Sequence, residues 1–383
     1  MFEFATATRI MFGKGIVYKA MPAIKGLGSR ALVVLGFSEQ YAQPILHALV
    51  NEGVSFKAIR VRGEPTIQSV QHAVETAHQC QAEMVIGLGG GSAIDTAKAV
   101  AAMLANPGEL LDYLEVVGKG QALPNPSLPC ITIPTTSGTG SEVTRNAVLE
   151  VPEQSVKVSL RSAAMLPRLA VVDPELTLSL PPKATASSGM DAMTQVIEPF
   201  LSSKANPLVS ALCREGIQRA GRSLRRAVFD SADYPAREDM SLASLIGGLA
   251  LANAGLGAVH GFAAPLGGMF HAPHGAICGK LLPAVMRVNY HALHEREPDN
   301  PALMRYQEIA ILLTGDTTAL ARQGIAWVQE TCQLLEIPGL SSYGITESSF
   351  PSIVEKAQKA NSMKANPILL TEAELTRVLE MSL

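Results

Sequence analysis

The sequence predicts an α/β domain built on a parallel sheet at 1–181, followed by an all-helical domain at 182–383. Short β-branched runs alternate with helical patterns through the first half, as strands joined by crossover helices do. Beyond Pro181-Pro182 those runs disappear, and Ala, Leu, Met and Gly dominate one helical pattern after another. The 383 residues are 47% hydrophobic and only 17% charged, against roughly 25% charged in ordinary domains. Such a chain has ample material for two buried cores.

Taken in order, ALVVL at 31–35 reads as a buried strand and 39–51 as a helix. The next pair is a strand at 55–61 and a helix at 67–80. MVIGL at 84–88 is again a strand, 93–104 a helix, and CITIP at 130–134 a strand. From 182 to the end the patterns are helical, without internal repeats or low-complexity segments.

Two loops point to a nucleotide. The strand at 84–88 runs through Gly87, Gly89, Gly90, Gly91 and Ser92 straight into a helix. Glycines there let backbone approach a ligand, and free amides at a helix start attract phosphate. The spacing is not G-x-G-x-x-G, so this is not the standard dinucleotide fingerprint. Pro134, Thr135, Thr136, Ser137, Gly138, Thr139, Gly140 and Ser141 follow the strand at 130–134 and place hydroxyls where a pyrophosphate or ribose would lie. Alone, each could be a tight turn or a helix cap; together, each directly after a buried strand, they make the first domain a Rossmann-like nucleotide-binding one. Gly36, directly after the strand at 31–35, belongs to the same rim.

Residues 240–279 contain no Asp, Glu, Lys or Arg. A charge-free run longer than about 18 residues suggests a membrane span, but nine glycines, two prolines, Asn253, His260, His271 and His274 break this one. Buried helices around a polar site are expected instead. Asp191 and Gln195, four apart, share one helix face. Asp191 alone could be a helix-start acid favoured by the dipole; with His260 and His274 it forms a donor set for Fe(II) or Zn(II).

At this point the chain resembles the iron-containing (group III) alcohol dehydrogenase family. The matching segments are RIMFGKG (9–15), GGGSAIDTAK (89–98), PTTSGTGSEVT (134–144), VVDPEL (171–176), GMDAMTQ (189–195), the GAVHGFAAPLGGMFHAPHG run and NSMKANP (361–367). The resemblance implies the dehydroquinate synthase-like fold, with NAD(P)H in a cleft and a divalent metal polarising the oxygen of a small alcohol or aldehyde. It implies nucleotide contacts at Gly90, Gly91, Ser92, Asp95, Thr135, Thr136, Thr139, Lys157 and Leu176, and metal ligands at Asp191, Gln195, His260 and His274.

Three positions depart from the family pattern. Gln195 replaces a histidine ligand, which predicts looser metal binding, a changed preference or a metal-free site. Ala264 stands where some members carry a proton-relaying histidine, a role left here to His271 or water. No acid follows the strand at 31–35, where Gly36-Phe37-Ser38 stands, so a 2′-phosphate is not repelled and NADP(H) is admissible beside NAD(H). Related folds leave a metal-independent reductase of the maleylacetate type, and a non-redox enzyme of the dehydroquinate synthase type, as alternatives.

The remaining bounds are compositional. The N-terminus shows no apolar signal, so the cytoplasm is expected. Five scattered cysteines argue against a disulfide framework. A formal net charge of -3, with no long basic block, argues against nucleic acid. A homodimer or larger homo-oligomer is expected from the resemblance, with the segment around Ile10 as a plausible pairing edge.

Overall fold

The computed structural model describes residues 1–152 and 156–383. The chain forms two compact units. One comprises Ala5–Thr136 and Gly140–Leu178; the other comprises Met1–Phe4, Ser137–Thr139 and Ser179–Leu383.

The first unit begins with β1 (Ile10–Phe12), α1 (Ile16–Lys19), α2 (Met21–Lys25), β2 (Arg30–Leu35), α3 (Glu39–Asn51) and β3 (Ser55–Arg60). It continues with α4 (Ile67–Gln79), β4 (Met84–Gly89), α5 (Gly91–Ala105), α6 (Leu110–Tyr113) and β5 (Cys130–Pro134). β6 (Asn146–Val151), β7 (Val156–Arg161) and β8 (Leu169–Val172) complete it. Six strands make one sheet in the order β1-β8-β5-β4-β2-β3, every pairing parallel.

Its apolar runs are continuous because the sheet is covered on both faces. Leu32 and Val34 of β2 join one core cluster with Val70 of α4 and Val100 of α5. Ala31, Val33 and Leu35 join another with Ile24 of α2 and Leu46 of α3. β3 lies on one side of β2, while β4, β5 and β8 run off on the other. The winding therefore reverses between β2 and β4, and open α/β sheets bind ligands at the carboxyl ends of the strands beside such a switch point. Gly36 follows β2 and Gly89 ends β4, one on each side of it.

The antiparallel hairpin of β6 and β7 is absent from the sequence expectation. Its strands, NAVLEV and VKVSLR, bury alternate residues, so neither shows the continuous apolar run that marks the parallel strands. β1 and β8, three and four residues long, are too short to stand out by pattern. α5 starts at Gly91, two residues before the helix expected at 93, because the glycine turn itself enters the helix.

The second unit is helical: α7 (Pro182–Leu201), α8 (Pro207–Phe229), α9 (Tyr234–Ala254), α10 (Ala258–Phe270), α11 (His274–Arg296), α12 (Ala302–Thr314), α13 (Ala321–Leu334), α14 (Phe350–Lys359) and α15 (Glu372–Glu380). α7 packs against α8, α9 and α11 and is buried at every position over 189–201. A helix apolar all round is a core helix, so each polar side chain inside it needs a partner. The charge-free run forms the second half of α9, all of α10 and the start of α11. Among the described residues no single helix is long and apolar enough to cross a membrane, and α9 and α10 meet at a bend of 100°.

Candidate functional site

Three helices of the second unit bring four donor side chains together. Asp191 comes from α7, His260 from α10, and His274 and Cys278 from successive turns of α11; their donor atoms all lie within 4.8 Å of one another. Asp191 Oδ1 is 3.4 Å from His260 Nε2 and 3.7 Å from His274 Nε2. Cys278 Sγ is 3.7 Å from His260 Nε2 and 3.6 Å from His274 Nε2.

Glu198 holds this arrangement from behind. It lies seven residues after Asp191 on the same face of buried α7. Its Oε1 accepts from the Val259 amide at 2.7 Å, and its Oε2 pairs with His260 Nδ1 at 2.7 Å. A carboxylate there keeps the proton on Nδ1 and turns the Nε2 lone pair into the cluster. Asn366 supports the same helix start: its Oδ1 accepts from the Ala258 amide at 3.1 Å, and its amide exchanges two hydrogen bonds with Asn289. Gly257 precedes the helix because a Cβ there would sit 2.8 Å from Glu198 Oε1. The first amides of α10 are thus capped by side chains brought from elsewhere in the unit.

Charge in the cluster is out of balance without a cation. Burial presses Asp191 towards its neutral form, yet the charge on His274 and the contact with His260 hold its carboxyl below the usual range. Burial likewise opposes imidazolium; the charge on Cys278 and the contact with Asp191 override it, raising His260 well above the ordinary value. His274 is pushed up to about 9 by the same neighbours. An anionic pocket of this kind takes positive charge as protons or as a metal ion. Asp191 Oδ1 and Gln195 Oε1 are moreover buried without a hydrogen-bond partner. Unpartnered buried oxygens are costly, and a cation relieves that cost. These residues fit a divalent metal of borderline softness.

Gln195 is anchored within this unit, where its Nε2 donates to the Gly138 carbonyl at 2.9 Å. Ser137 joins the same unit through an Oγ–Oγ hydrogen bond of 3.0 Å with Ser241, and Thr139 belongs to the same short segment. His271 stands outside the four-donor cluster. It is exposed and ends α10 with φ 50°, three residues before His274.

The nucleotide residues expected in the first unit gather around β2, β4 and β5. Gly89 has φ +157° and so close a neighbour that a Cβ on it would lie 2.8 Å from Gly36 Cα. The Gly36 amide donates to Leu88 at 3.0 Å, and the Thr135 amide to Gly89 at 3.0 Å. Gly90, beside Thr136, is the N-cap of α5, and no side chain caps that helix. The amides at Gly91 and Ser92 therefore face the turn as an anion-binding helix start would present them.

Other expected contacts are engaged in holding the fold. Asp95 accepts from Ser141 Oγ and, at 2.9 Å, from the Val148 amide. Lys98 is fully buried against Asp95, Ser141 and Thr144. This pair fastens α5 to the segment that follows the hydroxyl-rich loop. Lys157 pairs with Glu64 at 3.0 Å, and Leu176 packs on the sheet core.

Comparison with known proteins agrees with this construction. The family described as iron-containing alcohol dehydrogenase matches residues 7–174, and its C-terminal counterpart matches 185–383. Long-chain-alcohol dehydrogenase 1 of Geobacillus thermodenitrificans is 35% identical over 96% of this chain and 93% of its own. The crystal structure of a 1,3-propanediol oxidoreductase superposes with a TM-score of 0.92 at 31% identity, covering all of both chains. A sulfoacetaldehyde reductase from Bifidobacterium kashiwanohense, solved with NAD+, superposes with a TM-score of 0.87 at 29% identity over 100% of this chain and 98% of that one.

A parallel α/β unit with a glycine turn at its switch point, and a helical unit with a buried carboxylate–imidazole cluster that could hold a metal ion, are the two halves of an oxidoreductase of the alcohol dehydrogenase class. The chain belongs to the iron-containing alcohol dehydrogenase family.

Sequence reasoning missed Glu198, Cys278 and Asn366. Glu198 had a signal, the third polar position on one face of an apolar helix. Cys278, four residues after His274, had another. Asn366 lies within the NSMKANP segment that carries the resemblance, but no spacing pointed to its role, since its partners are far away along the chain.

Proposed function

We propose that the protein transfers hydride between NAD(H) and a small alcohol or aldehyde at a divalent metal site, with Fe(II) the preferred ion and Zn(II) the alternative. The observation that carries this reading is the convergence of Asp191, His260 and His274 around an unpartnered carboxylate oxygen, in a chain of this family. When bound, the ion supplies the Lewis acid for the substrate oxygen and the nicotinamide supplies the hydride chemistry.

The remaining work falls to the chain itself. Asp191 brings the negative charge and the two imidazoles bring neutral donors, one of them oriented by Glu198. Gln195, fixed through its amide nitrogen, offers Oε1 as a weak neutral oxygen on the Asp191 face of α7. His271, exposed between α10 and α11, carries the proton to solvent. Gly36, Gly89, Gly90, Gly91, Ser92, Thr135 and Thr136 cradle the nucleotide, while Ser137, Thr139 and Leu176 border it and Asp95 and Lys157 position its loops. With no acid at 36–38, NADP(H) is accepted as well as NAD(H). The protein acts in the cytoplasm as a homodimer or larger oligomer, with β1, at the edge of the sheet, as the pairing strand.

The test is to follow nicotinamide absorbance with NADH and NADPH over a panel of short aldehydes, using protein reconstituted with Fe(II) or Zn(II). Aldehyde-dependent oxidation is expected. No turnover with either ion and either nucleotide would overturn the proposal. Gln195 favours a second reading, a metal-independent reductase of the maleylacetate type, whose signature is full activity after exhaustive chelation.

A further inference from the structure

We infer that Cys278 is a thiolate ligand of the metal and supplies the strong fourth donor that Gln195 does not. The inference rests on the metal-dependent reading and deepens it. Four donors on a tetrahedral ion with bonds of about 2.0–2.3 Å stand roughly 3.3–3.8 Å apart along each edge. The four edges measured here fall in that interval: Asp191 Oδ1 to His260 and His274 Nε2 at 3.4 and 3.7 Å, and Cys278 Sγ to the same two nitrogens at 3.7 and 3.6 Å. The sulfur thus completes, with the carboxylate and the two imidazoles, a set of four donors within 4.8 Å of one another.

Residue chemistry supports the same assignment. Cys278 is fully buried and sits one turn after His274 on α11, so one helix presents both donors to one point. The side chain at 195 is instead tied through its nitrogen to the Gly138 carbonyl and can offer only a neutral amide oxygen. A carboxylate and a thiolate together carry two negative charges, matching a divalent ion, with both imidazoles neutral. A thiolate also moves the site towards softer ions, so Zn(II) and Co(II) gain on Fe(II) relative to a site of one carboxylate and three imidazoles.

The experiment uses metal-stripped full-length protein reloaded with Co(II) and read by absorption, beside the variants Cys278→Ser and Gln195→Ala. Wild type should show a near-ultraviolet sulfur-to-cobalt charge-transfer band together with visible d–d bands. Cys278→Ser should lose the former and keep the latter, and Gln195→Ala should keep both. X-ray absorption of zinc-loaded wild type, which needs no variant, should show one sulfur at about 2.3 Å. Cobalt bound without the charge-transfer band, a band that survives Cys278→Ser, or zinc without a sulfur neighbour would overturn the inference while leaving a metal enzyme. Failure of wild type to bind either ion would overturn both readings.

Discussion

Glu198→Gln isolates the role of the carboxylate behind His260. In the native chain one carboxylate oxygen caps the start of α10 and the other takes the proton of His260 Nδ1, both at 2.7 Å. A carboxamide has one acceptor and one donor, so it can satisfy only one of these contacts. If its oxygen stays on the Val259 amide, its NH2 faces Nδ1 and drives the imidazole proton to Nε2, the atom that must be free for metal. If it flips, the amide of Val259 loses its acceptor inside a buried helix start. Substitutions behind a ligating histidine typically weaken metal binding 10–100-fold, or about 1.4–2.7 kcal/mol. Competition for Zn(II) against a chromophoric chelator measures this. The expected result is a loss in that range with one ion per chain still bound at saturation, and unchanged affinity would refute the orienting role.

Three further outcomes follow from the same structure. Because His260 and His274 are raised above the ordinary value yet must be neutral to ligate, metal binding near pH 7 should release protons. Affinity should then climb with pH through about 9, where His274 loses its proton, as titration calorimetry in buffers of different ionisation enthalpy will show; binding without proton release would contradict it. Burial pushes Glu142 up to about 7 from 4.5, so the stability it contributes is present below pH 4.5 and lost as pH rises through 7. Glu142→Gln should gain on wild type in thermal unfolding at alkaline pH and not at acid pH, and equal gains at both would exclude that linkage. Gly89→Ala places a Cβ at φ +157° and 2.8 Å from Gly36 Cα. Strain of about 1–3 kcal/mol should lower Tm and weaken NADH fluorescence enhancement without altering zinc stoichiometry, whereas native-like nucleotide binding would remove the turn from the site.

The sheet was legible where strands are buried on both faces. ALVVL, MVIGL and CITIP appear as β2, β4 and β5 within a residue at either end, and the helix expected at 39–51 is α3. The hairpin was not, because β6 and β7 bury every second residue and interleave Glu150 and Lys157 with their apolar positions. In the helical unit the four-residue spacing of Asp191 and Gln195 put them on one face, and the charge-free run announced buried helices. What spacing could not convey was assembly. Glu198 meets Val259 from 61 residues away and Asn366 meets Ala258 from 108, and only the packing of α7 against its neighbours brings them together. Cys278 counts in the sequence only as one of five scattered cysteines, and its place beside His274 is visible only once both lie on α11.

Metal dependence of the hydride transfer is tested most directly by one comparison. Protein stripped by chelation and protein reloaded with one equivalent of Fe(II) or Zn(II) are assayed together for aldehyde-dependent NADH oxidation, with His260→Ala as control. Activity is expected to disappear on stripping, to return in proportion to bound ion, and not to return in His260→Ala. Full activity in stripped wild type, at a metal content too low to account for it, would contradict it.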